Sequence, residues 1–94
     1  MPIETKELRA QLKLEDIIGI VRRASNETGM RIGLEPERQR LNVTKGRLFP
    51  RTVMRIFLDG AYERGETDEL WYFVPAGSEK LAVPLLDAIR KYCM

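Results

Sequence analysis

Residues 52–75 read TVMRIFLDGAYERGETDELWYFVP and contain two apolar runs, Val53–Leu58 and Leu70–Val74. β-Branched and aromatic residues fill both runs, and neither run has the length or the spacing of a helix. The polar connection between them includes the turn formers Asp59 and Gly60. This pattern predicts two antiparallel strands in the middle of a sheet.

Two shorter segments upstream add strands to this pair. Residues 39–44 alternate, with Leu41 and Val43 on one side, which is typical of a half-buried strand. Residues 30–34 form another candidate strand, and the segment between the two is predicted to turn because Pro36 fixes its own φ. We therefore expect four strands between residues 30 and 75.

Helices are predicted on both sides of these strands. Residues 14–28 carry an apolar stripe at helical spacing, formed by Leu14, Ile17, Ile18, Val21 and Ala24. A second stripe near the C-terminus consists of Leu85, Leu86, Ile89 and Tyr92. The C-terminal helix either begins at Glu79 and kinks at Pro84, or begins with Pro84 in its first turn.

Residues 1–13 contain Leu8 and Leu12, which lie one helical turn apart and indicate a short helix starting near Thr5, before a break at residue 13. From residue 14 onwards the predicted order is α-β-β-β-β-α. We expect one α+β domain over residues 1–94, with an antiparallel sheet and both helices packed on one face of it.

The composition argues against the common kinds of catalytic and metal site. The chain has no His and one Cys, Cys93, so that a zinc-binding cluster and a Ser-His-acid triad are both ruled out. It has neither a phosphate-binding glycine loop nor an EF-hand pattern. We expect a non-enzymatic protein that uses no cofactor and no metal. Because no apolar run approaches the length of a membrane span and the N-terminus lacks a signal core, we also expect a cytoplasmic protein without a membrane partner.

Basic residues are concentrated in the middle third of the chain. Residues 31–55 contain seven basic side chains and two acidic ones, whereas residues 56–94 carry a net charge of −3. Six of the seven basic residues are arginine, whose planar guanidinium binds phosphates and stacks on bases. The predicted phosphate contacts are Arg38, Arg40, Lys45, Arg47, Arg51 and Arg55.

Strand alternation adds an aromatic surface to this basic segment. If the side chains of Met54, Ile56 and Leu58 face the core, those of Val53, Arg55 and Phe57 face the opposite side. With helices on one face only, Phe57, Trp71 and Phe73 then lie together beside Arg55 and Arg40 on an open sheet face, as in proteins that stack single-stranded bases. The alternative is that these aromatic side chains are packed, in the core or against a second copy of the chain.

The order helix, antiparallel strands, helix resembles that of double-stranded-RNA-binding domains and of the small proteins that hold the Alu part of signal-recognition-particle RNA. In the former, the last helix opens with a run of lysines that contacts phosphates. Residues 77–82 of this chain read GSEKLA and contain one lysine. The resemblance covers the order of elements alone, and we assign no family on it.

Two functional hypotheses follow from these patterns. The first is binding of RNA or single-stranded nucleic acid through the basic segment 31–55, with stacking by Phe57, Trp71 and Phe73. The second is a protein–protein module, either a homodimer or an accessory subunit, that buries the same aromatic side chains against protein.

Overall fold

A computed structural model describes the backbone of residues 2–93 and the side chains of residues 11–93. Within this range, five strands and three helices follow one another, with a 3₁₀ turn at Pro36–Arg38. They are β1 (Pro2–Lys13), α1 (Leu14–Glu27), β2 (Arg31–Glu35), β3 (Arg40–Lys45), β4 (Arg51–Phe57), α2 (Asp59–Arg64), β5 (Glu66–Phe73) and α3 (Glu79–Cys93).

The five strands form one antiparallel sheet in the order β1-β5-β4-β3-β2. The two apolar runs become β4 and β5, which are neighbours, and β4 is the central strand. Ile56 of β4 lies opposite Tyr72 of β5 on one side and opposite Leu41 of β3 on the other. The predicted antiparallel pair in the middle of the sheet is therefore confirmed.

The helices α1 and α3 cover one face of this sheet. Ile17 and Val21 of α1 and Leu85 of α3 are buried in the same core cluster as Met54 and Ile56 of β4. Burying each such side chain contributes about 1.5–3 kcal/mol, so the two predicted apolar stripes are what holds the helices on the sheet. The predicted fold class, α+β with an antiparallel sheet and the two helices packed on it, is confirmed.

A β-bulge in β4 changes which residues face the core. Val43 pairs with Met54, whereas Thr44 pairs with Thr52, so Val53 is the extra residue. Val53 and Met54 are both fully buried. The predicted alternation put Val53 on the face away from the helices, and this placement is wrong because a bulge inserts one residue and resets the two-residue period.

Two segments differ from the predicted order of elements. Residues 2–13 form a strand that pairs with β5, so the short helix expected from Thr5 is wrong. Pairing with the free edge of a sheet outweighs the helical spacing of two leucines, because it satisfies a whole row of backbone groups. The connection after Leu58 also folds, into the six-residue helix α2, whose Ala61 is buried. The observed order is β-α-β-β-β-α-β-α.

The C-terminal helix is continuous through its proline. It begins at Glu79, as in the first of the two predicted alternatives, and Pro84 lies inside it. Pro84 has no N–H to donate to the carbonyl of Lys80 in the preceding turn. The buried stripe of α3, formed by Ala82, Leu85, Ala88 and Ile89, continues on both sides of the proline and holds the helix in place.

The end of α1 is tied to the end of α3 by a small polar cluster. Glu27 Oε1 accepts hydrogen bonds from Lys91 Nζ at 2.8 Å and from the Tyr92 hydroxyl at 3.1 Å. The guanidinium of Arg23 lies 4.2 Å from the centre of the Tyr92 ring. The bond from Lys91 lowers the pKa of Glu27, and the same bond raises the pKa of Lys91. These surface contacts fix the angle between two helices whose packing is otherwise apolar.

Two buried serines differ in what their hydroxyl groups contact. Ser78 precedes α3, and its Oγ donates a hydrogen bond to the Thr52 carbonyl at 2.8 Å, which ties the start of the helix to β4. Ser25 lies within α1, and its Oγ has no hydrogen-bond partner among the described residues. Both residues are 1% exposed, so the two hydroxyl groups are equally removed from water.

We predict that Ser78→Ala lowers the free energy of unfolding by about 1–3 kcal/mol, because it leaves the Thr52 carbonyl without its buried donor. Ser25→Ala is the matched control. It removes an unpaired hydroxyl from a helix, so it is expected to leave the free energy of unfolding unchanged or to raise it. Urea denaturation of both variants measures the difference. Equal losses in the two variants would contradict the assigned role of Ser78.

Candidate functional site on the open sheet face

The face of the sheet that α1 and α3 leave uncovered is organised in two cross-strand rows. The first row runs Glu35, Arg40, Phe57, Trp71 across β2, β3, β4 and β5. The second row runs Gly33, Asn42, Arg55, Phe73 across the same strands. We call this surface the open face and define it by Arg40, Asn42, Arg55, Phe57, Trp71 and Phe73. The sheet register predicted for its three aromatic side chains is confirmed.

Two of the aromatic side chains are accessible from solvent. Trp71 is 52% exposed, and Phe57, directly opposite it on β4, is 38% exposed. Phe73 is partly buried on the same strand as Trp71. Neighbouring aromatic rings with this exposure are unusual on a monomer unless the surface binds something. The alternative that they belong to the core of a single subunit does not hold for Trp71 and Phe57.

Arg55 lies at the centre of the open face with unused hydrogen-bonding capacity. Its guanidinium carbon stands 5.7 Å from the centre of the Phe73 ring. Its Nε is buried and has no hydrogen-bond partner among the described residues. The same is true of Oδ1 of Asn42, the residue directly opposite on β3. A buried donor and a buried acceptor are therefore unpaired on neighbouring strands beside the Phe73 ring, and a ligand reaches them only if these side chains move.

Arg40 is held differently from Arg55. Its Nε donates a hydrogen bond to Oε1 of Glu35, the residue directly opposite on β2, and the two side chains form an ion pair. This bond is the main reason that the pKa of Glu35 lies below its usual value, and the charges of Arg40 and Arg38 add to the effect. A phosphate binding to Arg40 must compete with a carboxylate that is already in contact. We therefore expect Arg40 to bind an external anion more weakly than an unpaired arginine would.

The remaining basic residues of the predicted site lie at the two ends of the open face. Arg38 is in the 3₁₀ turn that leads into β3. Lys45 ends β3 and Arg47 follows it in the loop before β4. Arg51 begins β4, and its Nη1 donates a hydrogen bond to the Gly77 carbonyl at 3.3 Å. Of the six predicted phosphate contacts, the structure brings Arg40 and Arg55 onto the open face and places the other four around its ends.

The β3–β4 loop contains two exposed residues that were not among the predicted site residues. Leu48 is 86% exposed and Phe49 is 89% exposed. The sequence carries a signal for them, because two large apolar residues stand between Gly46 and Pro50 in a segment that cannot be a buried strand. We call residues 46–50 the hairpin tip.

The two ends of the open face differ in charge. At the end nearest the hairpin tip lie Lys45, Arg47 and Arg51, with Arg31 at the adjacent end of β2. The opposite end holds a cleft of about 130 Å³ beside Trp71 and Phe57, and its lining includes Asp59, Glu63, Arg64, Thr67 and Glu69. The second end also holds Arg38, Arg40 and Arg64, so its charge is mixed, and phosphates are attracted more strongly to the first end. Asp59, expected as a turn former after the first apolar run, begins α2 at this cleft.

No comparison assigns this geometry to a known protein: no protein-family model, curated protein or solved structure matches the chain. Among residues 11–93, whose side chains the structure describes, no cluster of three or more Asp, Glu, His or Cys residues is placed to hold a metal ion. Over the same residues, no helix has the length and apolar character needed to cross a membrane.

The Glu35–Arg40 pair makes stability depend on pH. Because the folded state lowers the pKa of Glu35 below 4.5, the stabilisation is fully present above that pH and is lost as pH falls through the lowered value. We predict that Glu35→Gln makes the protein less stable than wild type at pH 7, and that this difference shrinks at pH values below the folded pKa. Urea denaturation at several pH values measures it.

The control is Glu37→Gln, which removes an equal charge from the neighbouring 3₁₀ turn. Because it leaves the Glu35–Arg40 pair intact, it is expected to lower the free energy of unfolding at pH 7 less than Glu35→Gln does. A difference between Glu35→Gln and wild type that stays constant from neutral to acid pH would show that the ion pair does not stabilise the fold.

Proposed function

We propose that the protein binds single-stranded nucleic acid, RNA or DNA, on the open face, and that it acts by binding rather than by catalysis. The observation that carries this proposal is the pair formed by Trp71 and Phe57, two exposed aromatic side chains directly opposite each other on an uncovered sheet. Aromatic side chains on open sheets are a recurring platform for unpaired bases.

The open face offers two positions at which bases stack. Trp71 and Phe57 provide one stacking position at the end of the open face, and Phe73 with Arg55 provides a second along the same strands. At the second position, the guanidinium of Arg55 adds a positive charge next to the Phe73 ring, which suits a base that carries a phosphate nearby. Sequence preference is expected to be weak, because every base has a flat apolar face.

The charge along the chain suits a polyanion at this surface. Residues 38–58 contain six basic side chains and no acidic one. Arg55 is on the open face, and Lys45, Arg47 and Arg51 continue the positive charge beyond its end, while Arg40 is partly neutralised by Glu35. A strand that leaves the aromatic pair therefore gains phosphate contacts in one direction, toward the hairpin tip, and meets carboxylates in the other.

We predict that Trp71→Ala weakens binding of a single-stranded oligonucleotide by about 5- to 150-fold, because stacking on one aromatic side chain contributes about 1–3 kcal/mol per base. The matched control is Tyr62→Ala. Tyr62 is also a partly exposed aromatic residue, at 37%, but it belongs to α2 and not to the open face. Fluorescence anisotropy of a labelled oligonucleotide measures both affinities.

The salt dependence tests the electrostatic part of the same proposal. With about three to five phosphate contacts, log K for single strands is expected to fall with log salt at a slope of about −2 to −3.5. If wild-type protein bound neither RNA nor DNA at about 50 mM salt, the proposed function would be wrong. If Trp71→Ala and Tyr62→Ala lost the same amount of affinity for the oligonucleotide, the open face would not be the binding site.

A second candidate function is self-association, and the charge separation between the two ends of the open face favours it. The basic end of one copy, with Lys45 and Arg47, complements the acidic end of another, with Glu63 and Glu69. Such a contact would cover Trp71 and Phe57 beside the acidic cleft. Attraction between these opposite charges orients the two copies and is weakened by salt.

For this second function we predict a sedimentation mass of two or more chains at low salt and micromolar concentration. Phe57→Arg is expected to return the protein to one chain, because it places a charge in the buried part of the contact. A wild-type protein that sediments as a single chain at every salt concentration would exclude self-association.

A further inference from the structure

The hairpin tip exposes two large apolar side chains that do not contribute to the folded core. Leu48 and Phe49 are adjacent, 86% and 89% exposed, and contribute nothing to the core. Leaving two such side chains in water forgoes about 1.5–3 kcal/mol each. Adjacent apolar residues at the end of a two-stranded projection are typical of a surface that is covered by a binding partner.

The shape of the hairpin tip is set by Gly46. This residue has φ +109°, a conformation that L side chains rarely adopt, and an added Cβ would lie 3.0 Å from the Phe49 carbonyl oxygen. The glycine therefore permits a close turn that brings its own backbone against that of Phe49. Arg51, at the base of the loop, is bonded to the Gly77 carbonyl and attaches this end of β4 to the turn before α3. Leu48 and Phe49 therefore lie in a tight turn whose C-terminal side is anchored to the rest of the protein.

The position of the hairpin tip relative to the open face decides which partner fits. Phe57 is six residues from Arg51 along β4, which is about 20 Å for a strand, and Trp71 lies beside Phe57. A flat lipid surface that receives Leu48 and Phe49 leaves this aromatic pair in water at the other end of the sheet. A flexible polyanion with apolar rings reaches both sites, because it can follow β4 from one to the other.

We propose that the hairpin tip binds the junction at which a single strand passes into a duplex, with Leu48 and Phe49 stacked on the terminal base pair. This proposal rests on the proposed function, in which the open face holds the single strand. The terminal base pair is the largest flat apolar surface that a nucleic acid exposes, and apolar side chains that enter base stacks elsewhere include Phe and Leu. Lys45 and Arg47 precede the two side chains and Arg51 follows them, so that basic groups are available on both sides for the phosphates of the duplex.

The experiment compares two labelled probes at about 50 mM salt: a single strand of about 12 nucleotides, and the same strand extending from a duplex. Wild-type protein is expected to bind the junction about tenfold more tightly than the single strand, by the stacking of one further base pair. The double variant Leu48→Ser with Phe49→Ser is expected to lose this preference and to keep the affinity for the single strand. Trp71→Ala is expected to show the opposite behaviour: it binds both probes more weakly but still prefers the junction to the single strand.

Two further variants control for folding and for loss of apolar surface in general. Val83→Ser removes an apolar residue that is 59% exposed on α3 and is expected to leave the preference for the junction unchanged. Phe49→Trp keeps a flat ring at the hairpin tip and is expected to retain the preference. Because the exposed tip contributes little to stability, the double variant is expected to unfold at the wild-type urea concentration.

The possible failures are distinguishable. Equal wild-type affinity for the two probes, or a double variant that keeps the preference, overturns the junction proposal and leaves the open face as a single-strand site. Absence of binding to both probes overturns the proposed function and this inference with it. Binding of wild-type protein to phosphatidylserine vesicles that the double variant loses, without any preference between the probes, assigns the hairpin tip to an anionic lipid surface instead.

Discussion

Helices α1 and α3 bury one face of a five-stranded sheet, and within the described residues no second layer covers the other face. The buried face takes Leu41, Val43, Met54, Ile56, Leu70 and Tyr72, which carry most of the apolar burial in the strands. Because strand residues alternate, this fixes what the opposite face presents: Trp71, Phe57 and Arg55. The unusual surface of the protein is therefore a direct result of the one-sided core.

The two arginines of the open face show how intramolecular contacts decide which charges remain available. Arg40 and Arg55 stand on neighbouring strands of the same surface, yet Arg40 is paired with Glu35 and Arg55 faces Phe73. A paired guanidinium has already lost part of its hydration and gained a carboxylate, so an incoming phosphate gains little from it. A guanidinium over a ring keeps its charge and its donors. Of the basic residues in the sequence, only those without an intramolecular carboxylate partner are therefore expected to contribute to the proposed binding.

The sequence was sufficient for the fold class because two signals were strong. Leu14 to Ala24 has an unbroken helical stripe, and residues 52–75 carry two runs that fit only strands. Three features of the structure could not be predicted from the sequence. The bulge at Val53 depends on how β3 and β4 register, β1 depends on the free edge of β5, and the Glu35–Arg40 pair depends on the strands being opposite each other. Each of these features depends on which strands pair and in which register, and the local sequence pattern does not determine that. The exposure of Leu48 and Phe49 is different, because their position between Gly46 and Pro50 is a local signal that indicates a loop.

The unequal charges at the two ends of the sheet also give the molecule a permanent dipole moment. In the field of a large polyanion this dipole turns the protein before contact, so that Lys45, Arg47 and Arg51 arrive ahead of Glu63 and Glu69. In the proposed function, collisions in this orientation are the productive ones, and we expect nucleic acid to associate faster than the net charge of +2 alone would give.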